Sequence, residues 1–286
     1  MGIFDKFKNK NKLSGQEEAE SQMPEEKENA IQTNTMVTVY FDRTGISTKE
    51  FQDAIALKFG AESIAEVDES SPSMTSIMIH LDGLDYMFSY MPFPFPEDEL
   101  YIPELFKFNG YITDEEREDL INHQSFCLIT QIGAGKNLEG KRRACLGITL
   151  ICGAVLAVDS AAGVCCSTSG LLFGKSIYLH HAAIAERERD NPEYFPSLLW
   201  VLVYSTEEEN GAHVIETCGL KDFGFMELQF YKPEEEWHQS YEKLYIMAVL
   251  QITGKEYYKN MDTIAFTKDK VAIFKKSGDK LAVIGV

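Results

Sequence analysis

The segment ACLGITLICGAVLAV, residues 144–158, is a long apolar stretch that strongly constrains how this chain can fold. It falls short of the ~20 apolar residues that a helix needs to cross a bilayer, and Asp159 interrupts it directly. A membrane-spanning helix is the alternative, but a helix buried in a protein core fits this length better. We therefore predict a helix over about residues 138–159 in a cytoplasmic protein, where the cysteines would stay reduced.

The charge balance is strongly acidic, since 45 Asp and Glu residues against 27 Lys and Arg residues give a formal net charge of −18. An acidic chain repels phosphate, which argues against binding to nucleic acid. The same acidic surface would favour a basic protein partner. The six cysteines show no CxxC or CxxH spacing of a zinc site, so we expect neither a metal nor a cofactor.

The first 35 residues differ in composition from the rest of the chain. Residues 1–12 are basic, and their apolar side chains Ile3, Phe4 and Phe7 are too few for the core of a signal peptide. Residues 13–35 contain six Glu, one Lys and no aromatic residue. We predict a disordered tail and acidic linker over residues 1–35. Weak peripheral contact of residues 1–12 with a membrane is an alternative role for the basic start.

Residues 36–132 show strand and helix patterns in the order β, α, β, β, α, β. MVTVYF (36–41) is typical of a strand, and a Ser47–Glu50 capping box begins a helix after it. Two alternating segments, 76–81 and 84–91, flank Asp82-Gly83, which is a strong hairpin signal. A second capping box, Thr113 with Glu116, begins the next helix, and residues 125–132 form the last strand. This order predicts a ferredoxin-like βαββαβ unit.

Residues 133–286 predict a larger mixed α+β unit. Three helices are expected, at about 138–159, at 175–189 and after Pro233. Strands are expected at 163–167, 170–173, 197–205, 212–218 and 225–231 and in three C-terminal segments. Because no linker rich in Pro, Gly or Ser separates the two units, they could share one sheet. The predicted fold class is therefore α+β.

The motif GAGK, residues 133–136, lies between a predicted strand and a predicted helix, where backbone amides can bind phosphate. A P-loop would require Gly where Thr130 stands and Ser or Thr where Asn137 stands. We therefore expect an ordinary strand-to-helix loop.

A cysteine and a histidine could form a thiolate–imidazole pair from Cys165 or Cys166 and His180 or His181. Adjacent cysteines on a strand face opposite sides, so at most one of them can meet a given histidine. Because free cysteines are usually buried, we expect structural thiols, with Cys165 and His180 as the alternative catalytic residues.

Acidic runs and an aromatic segment are further candidates for function. We expect the acidic runs to be solvated faces, loops or helix starts: Glu97–Glu99, Asp114–Glu116, Glu207–Glu209 and Glu234–Glu236. Phe93 and Phe95 lie in the proline-rich segment Met91–Pro96, which must be extended. We expect these rings to clamp the segment onto the core, and a docking ridge for a partner is the alternative.

Residues 217–228, TCGLKDFGFMEL, carry the pattern T-x-G-L-x-x-F-G-x-x-E-L. This pattern resembles the signature of a bacterial domain-of-unknown-function family, the one numbered 4261. SLLWVLV (197–203), MDTIAF (261–266) and the hairpin followed by YMPFPFP are similar to other parts of that family. The resemblance covers most of residues 36–286. It implies a soluble bacterial α+β protein with no assigned activity, so no catalytic residue is carried over.

The signature also has a physical interpretation. Gly219 and Gly224 should bracket a turn and supply positive φ or close backbone approach, with Phe223 as its apolar anchor. Glu227 is expected to face solvent, and a partly buried, paired carboxylate is the alternative and a candidate functional group. The candidate signature or binding residues are Thr217, Gly219, Leu220, Phe223, Gly224 and Glu227.

These observations favour a non-enzymatic protein-interaction module with an acidic surface and a basic partner. An immunity-type inhibitor of a bacterial toxin is one version of it. An enzyme with a cryptic Cys/His or Glu site is one alternative, although the sequence identifies no catalytic residue. A membrane-peripheral protein that uses its basic N-terminus is the other.

Overall fold

The computed structural model describes residues 35–71, 73–96, 102–106, 112–133, 137–166, 169–191, 193–207, 213–231, 237–265 and 271–284. The predicted tail and linker, apart from Thr35, lie outside these residues, so the membrane contact of residues 1–12 stays a prediction. Glu97–Glu99 and Glu234–Glu236 also lie outside them. Among the described residues, a first compact unit comprises 35–202 with 252–254, and a second comprises 203–251 with 255–284.

The first unit contains a seven-stranded sheet with helices on both faces. Its strands are β1 (Met36–Phe41), β2 (Ile64–Ser71), β3 (Met74–Leu81), β4 (Leu84–Met91), β5 (Ser125–Ile132), β6 (Ala161–Cys166) and β7 (Leu171–Gly174). Its helices are α1 (Thr48–Phe59), α2 (Ile102–Leu105), α3 (Asp114–Ile121), α4 (Leu138–Val155) and α5 (Lys175–Arg187). The predicted capping boxes at Ser47 and Thr113 begin α1 and α3.

The strand order of this sheet is β2-β3-β4-β5-β1-β6-β7, and all its pairings are antiparallel. The α+β class is confirmed, but the ferredoxin-like order is not found. A split βαβ arrangement would place β4 beside β1, whereas β4 pairs with β3 and β5. The sequence pattern does not reveal β2, because IAEVDESS is too polar to show a strand alternation. With β2 included, β2 to β5 pair in sequential order as a meander.

The predicted boundary at residues 132–133 also differs from the observed division near residue 202. The reason is that β6 and β7, expected in the C-terminal unit, extend the sheet of the first unit beyond β1. Strands from both predicted units therefore share the seven-stranded sheet, and the remaining strands of the described chain form a separate six-stranded sheet.

One face of the seven-stranded sheet is covered by α1 and α4. Alternate side chains are buried there: Val37, Val39, Phe41, Ile77, Ile79, Tyr86, Phe88 and Ile129. The Phe51 ring of α1 lies 4.7 Å from the ring of Phe88, centroid to centroid. On α4, a Cβ added to Gly147 would lie 2.0 Å from the Tyr86 hydroxyl oxygen, so this close approach requires glycine. The apolar segment thus forms a buried helix, as predicted, and no helix in the described part of the chain could span a membrane.

On the opposite face, the described residues form a buried cluster around Tyr40 of β1 and Phe126 of β5. The Phe95 ring lies 4.8 Å from Phe126 and 6.1 Å from Tyr40, centroid to centroid. The Phe95 amide donates to His123 Nε2 at 2.9 Å, so the Nδ1 proton of His123 is free to bond the Leu120 carbonyl, also at 2.9 Å. The prediction that both rings clamp the segment onto the core is confirmed for Phe95. Phe93 is 43 % exposed, so the prediction is wrong for that ring.

The second unit contains a six-stranded sheet in the order β11-β12-β13-β10-β9-β8. Its elements are β8 (Leu202–Glu207), β9 (His213–Cys218), β10 (Glu227–Tyr231), α6 (Trp237–Ile252), β11 (Thr263–Ala265), β12 (Val271–Ser277) and β13 (Lys280–Ile284). The pairing of β10 with β13 is parallel. The predicted strand at 197–205 begins as a short 3₁₀ turn, Ser197–Leu199, and becomes a strand at Leu202.

Candidate functional site

The signature folds as β9, a 3₁₀ turn at Leu220–Phe223, and β10. Gly219 has φ +115° and Gly224 has φ +84°, both in the left-handed region that favours glycine. Leu220 and Phe223 are buried and anchor the turn to the core. The strand–turn–strand shape and the positive φ of both glycines are therefore confirmed.

The Glu227 carboxylate holds this turn together. Oε2 accepts from the Thr217 hydroxyl at 2.7 Å, and Oε1 accepts from the amides of Gly219 at 2.9 Å and Lys221 at 3.1 Å. The side chain is 5 % exposed, so the expectation that Glu227 faces solvent is wrong and the buried alternative is right. Glu227 begins β10, where its side chain bends back over the turn and accepts amide protons that the turn leaves unpaired.

Burial raises the pKa of Glu227, while hydrogen bonds from Thr217 and from the amides of the turn partly oppose that shift. The Thr217 oxygen also accepts from the Leu228 amide at 2.8 Å. The Thr217 hydroxyl on β9 therefore bonds both the Glu227 side chain and the backbone of β10. The structure thus brings Thr217, Gly219 and Glu227 together as a carboxylate-capped turn. This arrangement explains why the signature needs a hydroxyl, a glycine and an acid at these spacings.

A second carboxylate, Glu216 on β9, lies in a polar network that the sequence did not indicate. It accepts from Lys280 Nζ at 2.7 Å, from Tyr204 Oη at 2.8 Å and from the Gln229 amide. Glu216 is buried, and each of its oxygens has a partner. The pairing of Gln229 with Glu216 across β10 and β9 places both side chains on one face of the sheet. Finding this network from the sequence would have required knowing how β8, β9, β10 and β13 pair in the sheet.

Neither carboxylate has the features of a general acid or base facing a substrate. Each of their four oxygens already accepts a hydrogen bond from the protein itself. The nearby Cys218 thiol has its pKa raised to about 11, by burial first and then by the negative charges of Glu227 and Asp222, which suppresses the reactive thiolate. The chemistry of this cluster is therefore structural hydrogen bonding.

The cysteines are buried, as expected of structural thiols, whereas the imidazole of the alternative Cys165/His180 pair is exposed. Cys165 and Cys166 are both fully buried on β6. Burial raises the pKa of Cys165 to about 12, and the Cys166 thiol donates to the Leu199 carbonyl at 3.1 Å. His180 is exposed on α5, where its ring lies 5.5 Å from that of His181. Burial, followed by the charge of His180, lowers the pKa of His181. A buried thiol with this pKa is a poor nucleophile.

Of the remaining candidates, Ala134–Lys136 of the GAGK motif lie outside the described residues. Asn137 caps α4 by accepting from the Gly140 amide at 2.8 Å. In the acidic run Asp114–Glu116, Glu116 does more than the capping box predicts, because it also accepts from the amide and hydroxyl of Ser176, at 2.8 and 2.6 Å, at the start of α5. Within the described parts of the chain, no group of His, Cys, Asp and Glu side chains could hold a metal ion.

The surface feature that sequence reasoning missed is the edge of the first unit. Strand β2 ends the seven-stranded sheet, and its acids Glu66, Asp68 and Glu69 are exposed beside Glu62 of the preceding turn. We call these four residues the acidic edge. The sequence could have indicated the acidic edge only if β2 had been recognised as a strand.

A scan against protein-family models, a search of curated proteins and a search of solved structures each found no match to the chain.

Proposed function

We propose that this chain is a non-enzymatic protein-interaction module that binds a basic protein partner. The acidic edge is the observation that carries the proposal. Between Ala61 and Ser71 the chain has four acids and neither Lys nor Arg, and all four side chains are exposed. Within the described part of the chain, none of these carboxylates forms an ion pair.

Neighbouring carboxylates without cations repel one another, and a basic partner would relieve that repulsion and gain association rate from it. A competing explanation is that charges on an edge strand keep other chains from pairing with it. That explanation requires only that binding be prevented, so it predicts no difference between these acids and others in the binding of a basic partner.

The catalytic alternative has less support. The Cys165 thiol is buried with a raised pKa, and the Glu227 carboxylate is occupied in holding a turn. Both groups therefore have structural explanations that need no substrate.

An immunity-type inhibitor of a basic bacterial toxin, in the cytoplasm of a bacterium, is one version of this function. Membership of the family numbered 4261 belongs to the same proposal. Its support is the folded shape of residues 217–228, where each signature position has a physical duty in the turn.

The test compares two charge-neutralised variants of the full chain. The first is Glu62→Gln/Glu66→Gln/Asp68→Asn/Glu69→Gln. The matched control, Asp42→Asn/Glu115→Gln/Glu118→Gln/Asp190→Asn, removes four exposed charges elsewhere in the first unit. Binding of a fluorescent Lys/Arg-rich peptide is followed by anisotropy. We expect the acidic-edge variant to bind at least about tenfold more weakly and the control to change by less than about threefold. Equal weakening of both would show that only net charge matters and would refute the proposal.

A further inference from the structure

A row of methionines crosses the face of the first unit's sheet that also carries Tyr40 and Phe126. Strand register places Glu66, Met78, Met87, Thr130 and Met36 side by side on β2, β3, β4, β5 and β1. We call Met36, Met78 and Met87 the methionine row. Their side chains are half-buried, and on the same face Met74 and Ile132 are each 41 % exposed.

Further along the strands, described residues cover the same face. Met91, four residues beyond Met87 on β4, is buried in a cluster with Tyr40, Ile102 and Leu120. Helices α2 and α3 and the segment with Phe95 supply that cover. The methionine row lies on the same face, next to the part that these elements cover, and extends across the strands toward β2.

Methionine suits a surface that receives another chain, because its flexible, polarizable side chain adapts to different partners. Five strands at about 4.8 Å spacing make a row about 19 Å long between the outer strand axes. A helix of about 13 residues has that length. The dimensions therefore fit a helix lying across the strands.

The charges around the row select the kind of helix. Glu66 ends the row, and Asp68 lies next to it on the same face of β2, opposite Ser76. On the other side, Asp85 is exposed and pairs with His80 at 2.9 Å. No Lys or Arg occupies this face in β1 to β5. The methionine row thus has two acids, Glu66 and Asp68, at its β2 end and a third, Asp85, beside Met87.

We propose that the methionine row and the acidic edge together bind a basic amphipathic helix of the partner. The apolar side of the helix would cover Met78 and Met87, and its Lys and Arg side chains would meet Glu66 and Asp68. This inference rests on the proposed function, and it adds the site and the form of the partner.

The test uses two fluorescent peptides of about 18 residues with the same Leu and Lys content. One has leucines at helical spacing, and the other is scrambled so that it has no apolar face. Each is titrated with the full chain, with Met78→Gln/Met87→Gln and with the control Leu57→Gln, which changes a residue of α1 that is 89 % exposed. We expect the amphipathic peptide to bind the wild type at least about tenfold more tightly than the scrambled one. The double variant should lose most of that preference and the control should keep it.

A second measurement does not depend on the variants' folding. Mild peroxide oxidises accessible methionines, and mass spectrometry locates the sulfoxides. We expect the amphipathic peptide to protect Met78 and Met87 while Met261, 63 % exposed in the second unit, is oxidised as before. Equal binding of both peptides, lost in the acidic-edge variant, would refute the helix site and leave the proposed function standing. Failure of both peptides to bind would refute both proposals. Protection of Met78 by a second copy of the chain, without peptide binding, would also refute the helix site.

Discussion

Removing the carboxylate of Glu227 should destabilise the second unit far more than removing its charge. Glu227→Ala leaves the buried amide of Gly219 and the partly buried amide of Lys221 without their acceptor, and an unpaired amide costs about 1–3 kcal/mol when fully buried. The Thr217 hydroxyl can turn toward the Leu228 carbonyl, 3.4 Å away, and so adds little. Relief from burying a carboxylate offsets part of this, which gives an expected loss of about 2–5 kcal/mol in the free energy of unfolding.

Glu227→Gln should cost less than about 1.5 kcal/mol. The glutamine oxygen can accept from both amides, and its NH₂ group can donate to the Thr217 oxygen if that hydroxyl turns away. The difference in the free energy of unfolding between Glu227→Ala and Glu227→Gln therefore measures what the hydrogen-bond acceptor contributes, separately from the charge.

The pH dependence follows from the raised pKa of Glu227. Because the folded state binds this proton more tightly than the unfolded state does, the stability from this group is complete below the unfolded pKa, about 4.3. It is lost as the pH rises through the folded pKa. The advantage of wild type over Glu227→Gln should thus be largest near pH 4 and shrink toward neutral pH.

Urea melts by circular dichroism at several pH values, with hydrogen exchange of residues 213–231 as a local readout, test this reasoning. Glu207→Gln, an exposed acid at the end of β8, is the matched control and should change stability by less than about 0.5 kcal/mol. The reasoning is refuted if Glu227→Ala is as stable as the control. It is also refuted if the advantage of wild type over Glu227→Gln grows with pH.

Three further predictions concern the backbone, a helix cap and the thiols. Gly224→Val should cost about 1–3 kcal/mol in a urea melt, since a β-branched residue is strained at φ +84°, and an unchanged melt would remove the backbone duty of this glycine. Glu116→Ala should cost about 1–2 kcal/mol, because it removes acceptors at the starts of both α3 and α5. Burial raises the pKa of Glu116, but hydrogen bonds from Ser176 and Thr113 outweigh this effect and lower the pKa. The stability that Glu116 contributes should therefore fade as the pH falls below the pKa of the unfolded state. A cost of Glu116→Ala that grows in acid would contradict this reasoning. Cys165 and Cys166 should react with a thiol reagent only on unfolding, and rapid labelling of the native protein would reopen the enzyme alternative.

Much of the local structure follows from the sequence, because local signals determine it. The capping boxes at Ser47 and Thr113 and the Asp82-Gly83 hairpin act within a few residues, and each appears where it was predicted. The buried helix α4 follows from its apolar length alone.

The sheet order could not be predicted in this way, since it depends on which strands pair over long distances. Strand β2 has too polar a sequence to be recognised. When β2 is left out of the prediction, the remaining elements match the βαββαβ order. The pairing of β6 with β1 likewise joins segments that the sequence assigns to different units.

For the signature, the sequence predicted the turn and both glycine conformations but placed Glu227 in solvent. Strand alternation assumes that a side chain stands perpendicular to the sheet, whereas Glu227, at the first position of β10, bends back to cap the turn. The second carboxylate, Glu216, was missed because its partners Lys280 and Tyr204 come from strands far apart in sequence.

The most direct test of the interaction function is a ¹³C-methyl spectrum of the methionines during titration with the basic amphipathic peptide. The account predicts that the signals of Met36, Met74, Met78 and Met87 shift, while those of Met226, Met247 and Met261 in the second unit stay in place. Saturating shifts at those four methyls, weakened in the acidic-edge variant, would support the basic partner and its site together. Shifts confined to the second unit, or none at saturating peptide, would contradict the account.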